Sequence, residues 1–350
     1  MKAHLLKYAC AVGTKIAKEY INNRGYFPKE PWGCEGQIYP SMTGIALLEL
    51  YKATKNNFFL TGAKAIVDSN IEKQKSSGGW PLYLAANANG VRFHVSDDII
   101  KMTSELEDLP STTTALRLIS EYQQITDDKS YSKFLNKGFN FIKEFWNTKS
   151  GVFDEMLSGE ALKLRANPRD YHIYAFQCVQ SLQKIYPSAR EYVSPLYLAI
   201  KSNFEEMTVD TYPLLYGMHA GIIAKTEGPS DYVTTVVKEK ILKEISINSK
   251  FLIPDLPGAM GHRDGLRGIC LDEGHLRNSI GAVLAVDLYE SVTGSNLFSS
   301  TKQYAQIESW VQSMYDDGIY FEYMDLDTGL KHGDGSAGIF LPIFWILKST

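Results

Sequence analysis

Residues 46–70 read ALLELYKATKNNFFLTGAKAIVDSN, residues 115–145 read ALRLISEYQQITDDKSYSKFLNKGFNFIKEF, and residues 282–311 read AVLAVDLYESVTGSNLFSSTKQYAQIESWV. Each is an apolar stretch of helical period, then a turn, then an amphipathic stretch of the same period. Thr54, Thr126 and Thr293 close the first helix, and five residues on Phe59, Tyr131 and Phe298 open the second. A helix pair that cannot bury its own apolar face must stack on a neighbour, so recurring pairs imply a closed ring or a solenoid.

The same periodicity predicts further pairs near 171–185 and 189–206, and near 212–226 and 230–247, besides those at 42–54 and 58–74, 111–125 and 130–146, and 278–292 and 297–314. A first helix over about 3–22 pairs with the last segment, 336–347, which gives twelve helices in six hairpins. The first member of each internal pair is apolar and rich in small residues (SMTGIALLEL, GMHAGIIA, NSIGAVLAV), as is GSAGIFLPIFW in the last segment. Such residues suit a crowded inner wall, whereas TVVKEKILKEI carries Lys and Glu on one face and suits an outer ring. The arrangement resembles the (α/α)6 toroid, an all-α fold in which six inner helices surround a funnel. That resemblance implies that the loops entering the inner helices line the funnel mouth. Four such loops here are long and bounded by Gly, and are expected to form short β-hairpins.

Neither a Pro/Gly/Ser-rich nor a charged linker interrupts the 350 residues, so a single domain over 1–350 is expected. A net charge of −4 argues against a nucleic-acid partner, because phosphate binding needs a concentrated positive field. No run approaches the roughly 20 apolar residues that span a bilayer. The N-terminal MKAHLLKYACAVGTKIAKEY has scattered charges and reads as an amphipathic helix, not a signal peptide. Cys10, Cys34, Cys178 and Cys270 form no disulfide or zinc-ribbon spacing, and a cytoplasmic protein is expected.

His94, His172, His219, His262, His275 and His332 all fall in the long loops or near the starts of inner helices, and only His4 lies elsewhere. The densest segment is GHRDGLRGICLDEGHLRNS, residues 261–279. It offers Asp272, Glu273, His275 and His262 for proton transfer, and Arg263, Arg267, Arg277 and Asn278 for holding polar or anionic groups. Tyr216 and His219 are further catalytic candidates, with Asp97, Asp98, Tyr171, His172 and His332 as substrate-binding ones. As candidate zinc ligands, His219, His262, His275 and Cys270 show no HExxH or CxxC spacing. A site without metal or other cofactor is therefore expected, with a divalent ion as the alternative.

QKSSGGWPLY, from Gln74, resembles the Gln-x-x-x-Gly-x-Trp motif that staples helices in class II terpene cyclases, although the DxDD acid motif of those enzymes is absent. Its GGWP core also looks like a string found in polysaccharide lyases and in the toroid of glucuronyl C5-epimerases, where an acidic sugar chain is held. GCEGQ at 33–37 is similar to the GCGEQ of complement-type thioester domains with its inner residues exchanged. Lanthionine-synthetase cyclases share the toroid, but their Cys-His zinc signature is missing. The resemblances imply a carbohydrate-active enzyme that binds an acidic or hydroxyl-rich saccharide and works by acid/base chemistry, as an epimerase, lyase or glycosidase. Trp80, Tyr171 and Tyr216 are expected to stack on sugar faces. A terpenoid or modified-peptide cyclase and a non-catalytic binding toroid are the alternatives.

Overall fold

The computed structural model describes residues 2–22, 34–36, 38–81, 83–85, 91–95, 98–102, 107–154, 172–208, 210–247, 249–264, 268–333 and 337–348. Twelve helices among the described residues follow the predicted spacing: α1 (Leu6–Asn22), α2 (Ile38–Thr54), α3 (Asn57–Lys73), α4 (Leu109–Thr126), α5 (Ser132–Lys143), α6 (His172–Leu182), α7 (Val193–Glu206), α8 (Pro213–Glu227), α9 (233–247), α10 (Leu276–Thr293), α11 (Lys302–Ser313) and α12 (Ala337–Leu347). Backbone contacts divide the chain into two compact units, Gly13–Ile200 and Met1–Val12 with Lys201–Thr350.

The turn of each hairpin repeats in atomic detail. Thr54, Thr126 and Thr293 donate their hydroxyls to the carbonyls of Leu50, Tyr122 and Tyr289, four residues back, at 2.7, 2.9 and 3.0 Å. The next residue in each case, Lys55, Asp127 or Gly294, adopts a left-handed conformation with φ of 58°, 57° and 70°. The amide one residue further on then donates to the same threonine oxygen. Phe59, Tyr131 and Phe298 are buried and anchor the start of the returning helix. The hydroxyl adds a second bond to the carbonyl four residues back, the back-bonding open to Thr at the end of a helix, and the left-handed residue turns the chain back.

In Gly13–Ile200, α2 is buried throughout Pro40–Leu48 and α4 at every residue of Leu109–Ser120 but Arg117, and Gly44 makes room for Leu118, whose side chain would lie 2.6 Å from a Cβ there. Gln74 acts as the staple its motif suggests. Its amide donates to the Gly78 carbonyl (2.9 Å) and across to Phe134 (3.0 Å), ahead of the fully buried Trp80. Strands β1 (Cys34–Gly36) and β2 (Tyr83–Ala85) pair, as do β3 (Val91–Val95) with β4 (Asp98–Met102) and β5 (Trp146–Asn147) with β6 (Val152–Phe153). The β1–β2 pairing joins segments far apart in sequence, where local hairpins were expected.

In the other unit, α8 and α10 pack backbone to backbone. A Cβ on Gly217 would lie 2.3 Å from the Gly281 carbonyl oxygen, and one on Gly281 would lie 2.4 Å from Leu214 Cα. α9 differs from the expected regular helix: Val233–Val237 and Ile241–Ile247 are wound with i→i+5 bonds around a single α turn, Lys238–Lys240. Its buried residues Val233, Val237, Ile241 and Ile245 recur every four positions. A repeat of four lies between the α period of 3.6 and the wider π winding, so mixing the two keeps that stripe in line. The chain ends meet as predicted. Lys2 donates its amide to the Ile346 carbonyl (3.0 Å), and its ammonium reaches Tyr304, Glu308 and Asp287. Buried Asp287 also accepts from Tyr304 and from the Trp345 indole. No helix among the described residues is long and apolar enough to cross a membrane.

Lys55→Gly should stabilise the protein by about 1 kcal/mol, and Gly294→Ala, which meets no steric obstacle, should destabilise it by about as much, because only the left-handed strain changes sign; urea-denaturation midpoints read both. Gly281→Ala drives a methyl into the backbone of α8 and should cost about 3 kcal/mol, with the midpoint falling accordingly.

Candidate active site

The segment 261–279 runs into α10 through three short strands. β7 (His262–Asp264) pairs with β8 (Gly268–Cys270), and β9 (Glu273–His275) leads directly into the helix. β9 is one edge of a three-stranded antiparallel sheet, with β12 (Tyr323–Asp325) in the middle and β13 (Lys331–His332) beyond. Strands β10 (Tyr315–Asp316) and β11 (Ile319–Tyr320) form the preceding hairpin. Three bonds pin this junction. The His275 amide donates to Met260 (2.7 Å), the Leu276 amide to Glu322 (2.8 Å), and the Asn278 side-chain amide to Gly261 (2.7 Å). Gly261 is required here, because a Cβ would sit 2.0 Å from the Cys270 carbonyl.

Side chains alternate along a strand, so Glu273 and His275 share one face of β9 while Asp272 points away and is exposed. His275 Nε2 lies 3.1 Å from Glu273 Oε2, and His262 Nδ1 lies 4.0 Å from the same oxygen. The two imidazoles face each other with centroids 4.4 Å apart. His275 then stacks on Tyr323 (5.5 Å), and Tyr323 on His332 (5.2 Å), as the sheet register dictates. The result is a ladder of four rings with one carboxylate at its end. Burial, reinforced by Arg277 and His262, pushes the His275 pKa down to about 3, so its ring is neutral at physiological pH. The Glu273 side chain is a third exposed and those of His262 and His275 only 18% and 7%, which makes the carboxylate the group most open to a ligand.

The remaining predicted residues divide plainly. Arg277 forms an ion pair with Glu322 at 3.0 Å. Arg263 lies one residue from His262, on the opposite strand face, and donates to the Asp210 carbonyl (3.0 Å). Tyr216 is fully buried against Phe204 and Lys240. His219 is a core histidine, with Nδ1 2.8 Å from the Leu215 carbonyl and Nε2 3.2 Å from the Asn203 amide. Trp80 is also without exposed surface, its indole N–H bonded to the Asn70 carbonyl at 2.7 Å. Tyr216 and Trp80 therefore present no face to a sugar, and His219 no open nitrogen to a substrate. His172 is buried at the start of α6, 3.0 Å from the Phe153 carbonyl. Asp97, Tyr171 and Arg267 lie outside the described residues, and Asp98 is described only as the first residue of β4. Tyr323 and Glu322 escaped the sequence reading, because only long-range contacts bring Tyr323 beside His275 and Glu322 beside Arg277.

No family model and no curated protein sequence matches the chain. Solved structures do. A cellobiose 2-epimerase from Spirochaeta thermophila superimposes with a TM-score of 0.72 at 8% identity, over 99% of this chain and 96% of that one. A D-mannose isomerase gives 0.65 at 12% identity over 96% and 98%. The unsaturated glucuronyl hydrolase from Bacillus sp. GL1 gives 0.62 at 10% identity over 99% and 96%. These are (α/α)6 toroids, and the chain has that fold.

The neutral, buried His275 has a consequence for stability. Between pH 6.5 and about 3 the unfolded chain takes up a proton at this residue that the native state refuses, so stability falls as pH drops through that window. The loss should amount to a few kcal/mol, and His275→Gln should flatten this part of the curve in denaturant titrations between pH 7 and 4.

Proposed function

We propose that this chain is a carbohydrate-active enzyme that moves a proton on a neutral, hydroxyl-rich sugar, in the manner of an epimerase or isomerase, at Glu273, His275 and His262. The observation that carries the reading is one carboxylate oxygen set against two imidazoles, 3.1 and 4.0 Å away. Glu273, the most open of the three, would take the proton from the carbon beside the sugar carbonyl and return it. His262 would serve as the second proton carrier, and neutral His275 would orient the carboxylate by donating from Nε2.

Two features favour this chemistry over hydrolysis and an uncharged substrate over a uronate. Glycoside hydrolysis commonly uses two carboxyl groups astride the scissile bond, whereas the neighbouring carboxylate, Glu322, is engaged by Arg277. The same pairing compensates the charge of Arg277, and Arg263 is directed elsewhere, so neither offers an uncompensated cation to a sugar acid at this face. The names of two similar structures, a 2-epimerase of cellobiose and an isomerase of mannose, agree with this choice. Charged and imidazole groups are the opposite of the dry aromatic lining a terpenoid cyclase would need. Thiols at Cys10, Cys178 and Cys270 stand unbridged, which suits a reducing compartment, and we place the enzyme in the cytoplasm. A single functional domain over 1–350 is part of the proposal.

The test is incubation with mannose, glucose, cellobiose and glucuronate in D2O, followed by NMR. Deuterium should enter at the carbon beside the carbonyl of a neutral sugar, and Glu273→Gln should slow this by about 10³-fold or more with the fold intact. Absence of exchange with every neutral sugar, or full activity in Glu273→Gln, would overturn the assignment.

A further inference from the structure

We infer that His262, Glu273 and His275 also form a binding site for a divalent transition metal, zinc before any other. One ligand atom from each lies within 4.8 Å of the other two. Zinc bonds to nitrogen and oxygen of about 2.0–2.2 Å place tetrahedral ligands roughly 3.4 Å apart. The His275 Nε2 to Glu273 Oε2 edge, at 3.1 Å, is already near that spacing, and an ion there would replace the Nε2–H hydrogen bond to Glu273, so the metal-bound state and the proton-transfer state are alternative states of the same residues. The His262 Nδ1 edge, at 4.0 Å, needs to close by about 0.6 Å, and the edge between the two imidazole nitrogens, which is within 4.8 Å, by up to about 1.4 Å, which rotation of the imidazoles would supply.

Two further observations point to a ligand. Nδ1 of His262, which faces Glu273, is buried with no hydrogen-bond partner among the described residues. Buried polar nitrogens are rarely left so. An ion at the cluster would satisfy Nδ1 of His262 directly. The support is also rigid: His262 sits opposite Cys270 in one strand pair and Glu273 opposite Asp325 in another, so the ligands come from strands and not from loop tips. Two imidazoles and a carboxylate with a fourth position open are the donor set of catalytic zinc, and too poor in oxygen for magnesium or calcium. Cys270 and His219, the other candidates in the sequence, lie outside the cluster.

The site goes beyond the proposed reaction, and its test needs no turnover. Full-length protein stripped with chelator is titrated with Zn2+ and separately with Mg2+ by calorimetry. About one Zn2+ per chain should bind, at least about 100-fold more tightly than Mg2+, and His262→Ala and Glu273→Gln should each weaken zinc by about tenfold or more. Circular dichroism confirms that each variant is folded. No zinc binding by the wild type, or binding that neither variant weakens, would overturn the inference. Failure here leaves the deuterium-exchange test untouched, and failure there leaves the metal site standing.

Discussion

The contact between Gly217 and Gly281 is the constraint on which the candidate site depends. Two helices whose backbones touch through a 2.3 Å virtual Cβ distance tolerate no side chain at the crossing. That contact fixes α10 against α8, and His275 is the residue that caps the start of α10. The Glu322 carbonyl takes the first amide of the helix, and the His275 side chain makes no capping bond and lies against Glu273 instead. Packing of small residues thereby becomes the position of an imidazole.

From that anchor the site grows by strand geometry. The two-residue period of β9 places Glu273 and His275 on one face, and the antiparallel register sets Tyr323 beside His275 and His332 beside Tyr323. Burying a ring among other rings, next to a guanidinium, keeps it neutral. A neutral donor holding a partly exposed carboxylate suits reversible proton transfer, and an unpartnered nitrogen beside the same carboxylate suits a metal ion. Both readings use the same geometry, because acid/base groups and zinc ligands are drawn from the same side chains.

Much of the fold could be read from residue order. Threonine followed five positions later by an aromatic marks three hairpins, and in each the hydroxyl, the left-handed residue and the buried ring recur in the same arrangement. The signal is strong because it is local. The π winding of α9 has no such mark, since Val233, Val237, Ile241 and Ile245 fit a helical period closely enough to pass for a regular helix. At the site, charge density singled out 261–279 and with it His262, Glu273 and His275. Composition could not distinguish these from His219 and Tyr216, which have the same chemistry but lie on buried turns of α8. Glu322 and Tyr323 stayed hidden because register between β12 and β9, some 50 residues apart, leaves no local trace.

The most direct measurement is a crystal structure with a bound sugar alcohol, such as reduced cellobiose, which keeps the hydroxyls of a neutral sugar but has no carbonyl to react. The account predicts the reduced end within hydrogen-bond reach of Glu273, with His262 beside it. A sugar alcohol bound elsewhere, with Glu273 and both imidazoles untouched, would contradict it.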